Sequence, residues 1–263
     1  IDYTTELRPG LSWARNHALD VVTTPVIAWL DDDEVADRHW LMETAAAYCR
    51  HPGAAAVSGA VLPAELRTLP QLWFEEFGGH SKGRGFTPDS FSVHDAGGQS
   101  PLYPLPPFGV GANMSFDVRQ ARAVGGFDNA LGAGTLTQGG EDTLMFSQLL
   151  LGGATVVYAP ASVTRHYHRP DYAGLARQMR GYGIGLTAYY TSLLRSDWTL
   201  IGSLIRLVPQ AFRDTIRGSE AHAVPDSFPK QLLRAKTLAM ARGPWLYLRA
   251  RRVARRLRAA RDE

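Results

Sequence analysis

Cysteine is nearly missing from this sequence. A single Cys49 stands among 263 residues, so no internal disulfide can form and a cysteine-stapled scaffold is excluded. Long apolar runs are missing as well: the longest charge-free stretch of the last third, residues 181–194, is too short and too rich in Gly, Tyr and Thr to span a bilayer. There is no initiator Met and no charged segment leading into an apolar one, as a secretory leader would have. Acids become scarce beyond residue 173, where 6 Asp+Glu face 17 Lys+Arg, whereas residues 1–173 carry 19 acids against 11 bases. The net charge of +3 therefore describes neither part, and an anionic partner belongs with the last third. With 45% hydrophobic residues, the chain has the apolar content of a folded domain rather than of a disordered one.

What is present reads as alternating strands and helices. Residues 12–22 predict a helix, with Ser12 as its N-cap and Trp13, Ala14, Ala18, Leu19 and Val22 along one face. Residues 26–30 (VIAWL) form a continuous apolar run, the pattern of a strand buried on both faces of a parallel sheet. A helix over 37–50, with Trp40, Leu41, Ala45 and Tyr48 inward, leads to a strand over 55–62. Residues 78–107 have no sustained period and read as a long functional loop. A strand over 109–116, helices over 118–124 and 142–151, and short strands over 155–158 and 162–168 follow. Beyond 174 the pattern is helical and basic.

Three clusters can carry chemistry. Asp31, Asp32 and Asp33 follow the apolar run, at the strand end where open α/β sheets bind ligands. Their crowded charge suits a hard divalent cation such as Mg²⁺ or Mn²⁺, and equally a solvated turn that caps the next helix. Glu141 and Asp142 head a helix after a Gly-rich loop, where acids serve either as caps or as a general base on a rigid support. His166 and His168 alternate in a strand-like segment, so their rings are expected on opposite faces, with at most one facing a site.

The segments GLSWARN at 10–16, AWLDDDE at 28–34, GANMSF at 111–116, VGGFD at 124–128, GGED at 139–142 and VTRHYH at 163–168 occur in one order. Together they make residues 5–195 resemble the family 2 glycosyltransferases of the GT-A fold. The resemblance implies a Rossmann-like, mixed but mostly parallel sheet flanked by helices over residues 1–183, followed by a basic helical region over 184–263. It also implies that the chain begins after the family's first βαβ unit, which helps to hold the nucleoside base. By the same resemblance Asp31 and Asp33 are the D-x-D acids, with Asp33 the direct metal ligand, Asp32 between them, and His166 completing the metal site. Arg15 lies near the nucleotide of the donor, Gly111, Ala112 and Asn113 line the sugar, and Asp142 is the base of an inverting transfer, with Glu141 beside the acceptor. The implied cofactor is a divalent metal, Mn²⁺ or Mg²⁺, and the implied co-substrate a nucleotide-sugar donor; a hydroxyl group is the acceptor.

Arg249, Arg251, Arg252, Arg255, Arg256, Arg258 and Arg261 accompany Trp245, Leu246, Leu248, Val253 and Leu257 near the C-terminus. This basic amphipathic pattern suits an anionic membrane surface, with Tyr189, Tyr190, Trp198, Leu200 and Ile201 as interfacial anchors. A cytoplasmic protein, peripheral at the inner membrane face, is the expected location, and no nucleic-acid partner is expected because no such module accompanies the arginines. Two rival functions share these residues: a metal-dependent nucleotidyltransferase, and a non-catalytic membrane- or nucleic-acid-binding protein built on a degenerate sheet.

Overall fold

The computed structural model describes residues 3–81, 84–93, 102, 110–217 and 227–262, and in 210–217 and 261–262 the backbone alone. Much of the long loop read over 78–107 therefore lies outside the described residues.

Helix α1 (Leu11–Val21) buries Ser12, Trp13, Arg15 and Leu19. Its cap is Gly10, not Ser12. Ser12 is the second residue of the helix, where its Oγ donates to the Leu131 carbonyl at 2.8 Å, and Ala14 faces solvent. Strand β1 (Val26–Leu30) ends at the acidic turn, and β2 (Glu34–Ala36) leaves it. Helix α2 (Trp40–Arg50) buries Trp40, Thr44 and Ala47. Leu41 and Ala45, expected inward, are exposed, because the indole N–H of Trp40 donates to Asn113 Oδ1 at 2.9 Å and sets the rotation of the helix.

Strand β3 (Ala56–Pro63), helix α3 (Leu69–Glu76), the short β4 (Asp89–Phe91), β5 (Asn113–Asp117) and helix α4 (Val118–Ala123) come next. Helix α5 (Glu141–Leu151) and β6 (Val156–His166) complete the sheet layer. The two short strands expected over 155–158 and 162–168 are one strand. A register shift opposite Gly59 and Ala60 carries β6 past Pro160 without breaking its pairing with β3, as a bulge does.

The sheet order is β1-β5-β3-β6-β2, with β4 also on β6. It is mixed, but among the described strands it is not mostly parallel: only β3 and β6 pair in parallel there, and β1/β5, β3/β5, β2/β6 and β4/β6 are antiparallel. The cause is β5, which runs opposite to both neighbours and separates β1 from β3, two strands of common direction. Nor is β1 buried on both faces. It ends the order of described strands and all five residues keep some exposure, although Trp29 packs edge-on against Phe116 and Phe127, each at 5.6 Å.

Helices cover both faces. Phe146, Leu149 and Leu150 of α5 pack on Met114 and Phe116, while Ala47 of α2 packs on Val57, Val157 and Ala159. Helix α6 (Tyr172–Ser196) runs unbroken through residues 183–184 and is followed by a 3-10 turn (Trp198–Leu200), α7 (Ile201–Arg217), α8 (Lys230–Met240) and α9 (Gly243–Asp262). Tyr189, Tyr247 and Ala250 join α6 and α9 in one core with Leu131 and Leu144. Tyr189 is thus core, not an interfacial anchor; Leu200 packs against the same core and Leu246 is buried. No helix among the described residues is long and apolar enough to cross a membrane.

Candidate active site

The turn after β1 is closed by its own backbone. The Glu34 N–H donates to the Asp31 carbonyl at 3.2 Å, and the Asp31 N–H donates to Glu34 Oε2 at 3.2 Å. This geometry alternates the acids: Asp31 and Asp33 are half-buried, Asp32 is exposed and Glu34 is buried. Glu34 opens β2 directly opposite His166 and accepts a hydrogen bond from Thr164 Oγ1 at 3.2 Å. Burial, reinforced by the Asp31 charge, pushes its carboxyl up to about 8. Burial also raises Asp31, against the pull of Arg15. Glu34 is absent from the sequence-derived site; the signal was its place as the one turn acid that begins a strand.

Arg15 ties this turn to the head of α5. It is 2% exposed, and its guanidinium reaches Glu141 Oε1 at 3.1 Å and Asp31 Oδ1 at 3.5 Å. It also donates to the Gly111 carbonyl at 3.4 Å and lies 5.5 Å above the Phe127 ring. Two acids that are distant in sequence are thereby held on one cation. At this separation the Asp142 charge acts on Asp31, and the Asp31 charge acts on Glu141.

The GGED segment explains how the acid pair is presented. Gly140 caps α5 with φ 90°, a left-handed conformation open to glycine, and a Cβ there would lie 2.7 Å from the Gly185 carbonyl. Glu141 is buried; desolvation, then the Asp142 charge, holds its carboxyl well above the usual carboxylate range despite Arg15. Its Oε2 and Arg15 Nε are buried with no hydrogen-bond partner among the described residues. Asp142 is fixed at both oxygens, Oδ2 accepting from the Gly111 N–H at 2.8 Å and Oδ1 from the Thr143 N–H at 2.7 Å. Gly111 must be small here, since a Cβ would come within 2.6 Å of Asp142 Oδ2. Ala112 and Asn113 are buried behind it. The Asn113 amide is committed to Trp40, to the Ala60 carbonyl at 3.0 Å and to the Ser162 carbonyl at 2.8 Å.

On the far side of the turn, His166 Nε2 lies 3.3 Å from Asp33 Oδ1, and Arg169 lies 3.5 Å from Asp33 Oδ2. The two histidines do not point to opposite faces. Strand β6 ends at His166, so the alternation of side chains stops there, and the Nδ1 atoms of His166 and His168 meet at 3.3 Å. His80 stacks at a tilt on His166, with ring centroids 4.4 Å apart. One nitrogen from each of His80, His166 and His168 falls within 4.8 Å of the others. Burial lowers the His166 pKa against the opposing pull of Asp33.

The structure therefore gathers Arg15, Asp31, Glu141, Asp142 and Gly111 in one contact network, with Asp33 and His166 joined on the same turn. Hard carboxylate oxygens beside an imidazole are the donor set of Mn²⁺- or Mg²⁺-type ions.

Comparisons with known proteins concern the chain as a whole. The glucosyl-dolichyl phosphate glucuronosyltransferase of Haloferax volcanii is 34% identical over 68 residues, 26% of this chain and 22% of that protein. Among solved structures, the mannosyltransferase PcManGT from Pyrobaculum calidifontis, in complex with GDP-Man and Mn²⁺, aligns at 16% identity and a TM-score of 0.46, covering 97% of this chain and 55% of that one. A mycobacterial protein aligns at 15% identity and a TM-score of 0.39, covering 72% and 52%. The chain thus spans little more than half the length of these relatives, and of the first under a quarter. The description "Glycosyl transferase family group 2" matches residues 26–217, most of the chain and nearly all of the site. This chain belongs to the glycosyl transferase family group 2.

Proposed function

We propose that the chain catalyses inverting, metal-dependent transfer of a sugar from a nucleotide-sugar donor to a hydroxyl acceptor. The observation that carries this reading is Arg15, whose guanidinium spans Asp31 and Glu141 and so brings the acidic turn and the acidic helix head to one cleft.

Asp33, Asp31 and His166 would hold a divalent cation, Mn²⁺ or Mg²⁺. Such an ion, when bound, offsets the charge of a departing nucleoside diphosphate. Every other role falls to the chain itself. Asp142 accepts the proton of the attacking hydroxyl, its carboxylate aimed by the Gly111 and Thr143 N–H groups. Glu141, buried and linked to Arg15, sits beside the acceptor as a hydrogen-bonding group. Arg15 keeps the two acid sets at a fixed separation and adds positive charge beneath the donor phosphates; Asp32 faces solvent at the mouth of the turn. Gly111 and Ala112 form the floor of the sugar site, with Asn113 holding that segment to α2. A single displacement at the anomeric carbon needs no carboxylate nucleophile, in keeping with the separate environments of the two acid sets.

The acceptor is a lipid-linked, cell-envelope or secondary-metabolite hydroxyl, met at the inner, cytoplasmic face of the membrane. Trp198, Ile201, Ile205 and Val208 are exposed on and just before α7, and Trp245, Leu248 and Val253 on α9. Arg249, Arg252, Arg255, Arg256 and Arg258 are exposed beside the latter, which suits peripheral docking on anionic lipid.

The test is a product assay on the full chain with a panel of nucleotide sugars and Mn²⁺. Release of a nucleoside diphosphate supports the reading. Release of pyrophosphate would assign a nucleotidyltransferase instead, and binding without turnover over the whole panel would leave a binding protein.

A further inference from the structure

The polar groups behind the acidic turn form a chain with a defined direction. The His168 ring is buried, and its Nε2 lies 2.7 Å from Glu75 Oε1. A carboxylate only accepts, so the hydrogen sits on His168 Nε2, and in the neutral ring, the state argued from here, a lone pair remains on His168 Nδ1. The next atom along is His166 Nδ1 at 3.3 Å, within hydrogen-bond geometry. Two lone pairs cannot share that contact, so His166 must supply the hydrogen from Nδ1. Its Nε2 is then a bare lone pair, and it faces Asp33 Oδ1 at 3.3 Å. A lone pair against a carboxylate is repulsive unless a cation lies between them.

We infer that Glu75 and His168 are positioning residues. They form a hydrogen-bond relay that locks His166 in the Nδ1–H tautomer and so commits its Nε2, with Asp33, to a metal ion. The inference rests on the proposed metal-dependent reading and adds two residues to it. Its physical basis is the general behaviour of ligand histidines, whose second nitrogen is tied to a partner that fixes tautomer and ring direction. The relay comes from α3 and from the segment after β6, and Phe74, beside Glu75, lies edge-on to the His168 ring at 4.7 Å. His80 closes the other side of His166 by ring contact. Imidazole as the committed ligand also shifts preference towards Mn²⁺ and other transition ions over Mg²⁺.

Two measurements on the full chain test this. In the metal-free protein at pH 8, nitrogen-15 NMR of the histidine rings should show His166 protonated at Nδ1 alone and His168 at Nε2 alone. His166 protonated at Nε2, or at both nitrogens, would overturn the relay. Mn²⁺ affinity should then fall about 10–100-fold in His168→Phe, which keeps an aromatic ring against Phe74 but offers no acceptor, the usual scale for a lost outer partner. His168→Gln, which restores an acceptor oxygen, should recover most of that loss, and His80→Phe should bind Mn²⁺ as the parent does. Unchanged affinity in His168→Phe would contradict the relay, and a loss in His80→Phe as large as in His168→Phe would assign a three-imidazole site instead. Failure of the parent chain to bind Mn²⁺ would remove the metal-dependent reading itself, while the ring protonation states would still be measured.

Discussion

The acid-bearing sheet and the arginine-bearing tail use charge in opposite ways. Around the acidic turn, Arg15, Glu34, Glu141 and His166 are all buried, each against a named partner, and burial moves three of the four away from their ordinary protonation behaviour. In α9 Arg249, Arg252, Arg255, Arg256 and Arg258 stand in solvent, with ring stackings such as Arg249 over Trp245 at 4.6 Å and Arg258 over Trp13 at 5.9 Å. Perturbed groups in a cleft mark chemistry, whereas a solvated basic face acts through its field on a distant partner and adds little to folding. The difference predicts which substitutions alter turnover, which alter stability, and which alter only adhesion.

The largest effect belongs to Asp142. Asp142→Asn should lower turnover by about two to four powers of ten with donor affinity nearly unchanged, the scale of a lost general base, read from initial rates and a binding titration on the same preparation. A mild loss would return the acid pair to helix capping. Next is Arg15→Met, which leaves Glu141 buried without its cation. At pH 8 it should cost about 3 kcal/mol in urea unfolding, as broken buried pairs do, and a cost as small as that of a surface change would break the contrast with the tail.

Glu34→Gln sharpens the comparison through pH. The folded carboxyl titrates near 8, above its unfolded value of 4.5. Its contribution to stability is therefore complete at low pH and is lost as pH rises through the folded value. The Gln variant should match the parent near pH 5 and exceed it by on the order of 1 kcal/mol at pH 9; parallel curves would show that Glu34 is not perturbed. Smallest for folding is the joint change of Arg252, Arg255 and Arg256 to Gln. Unfolding free energy should move by less than about 0.5 kcal/mol, while binding to anionic vesicles weakens in a salt-dependent manner. Equal vesicle binding would remove the membrane role from α9.

These regions were also unequally legible in the sequence. The run VIAWL and the four acids after it located β1 and the turn, because an apolar strand and a charge cluster are local signals. The GGED spacing likewise placed the acids at a helix head, where Gly140 alone tolerates the backbone. Pairing direction was not local: nothing in NMSFD states that β5 runs against both neighbours. Orientation was hidden for the same reason. Leu41 and Ala45 looked inward until a single indole hydrogen bond fixed the rotation of α2, and Tyr189 looked interfacial until α9 covered it. The His166–His168 contact required knowing that β6 ends at residue 166, and Glu75 sits on a short helix marked in the sequence by the Thr68–Gln71 capping box and Pro70.

The account stands or falls on the cleft that Arg15 draws together, and calorimetry addresses it most directly. Nucleotide sugars carrying uridine, guanosine or thymidine diphosphate, titrated with Mn²⁺ into the full chain and into Asp33→Ala, should give metal-dependent heat for at least one donor in the parent and none in the variant. Equal affinity in the two proteins, or no metal-dependent heat with any donor, would contradict it.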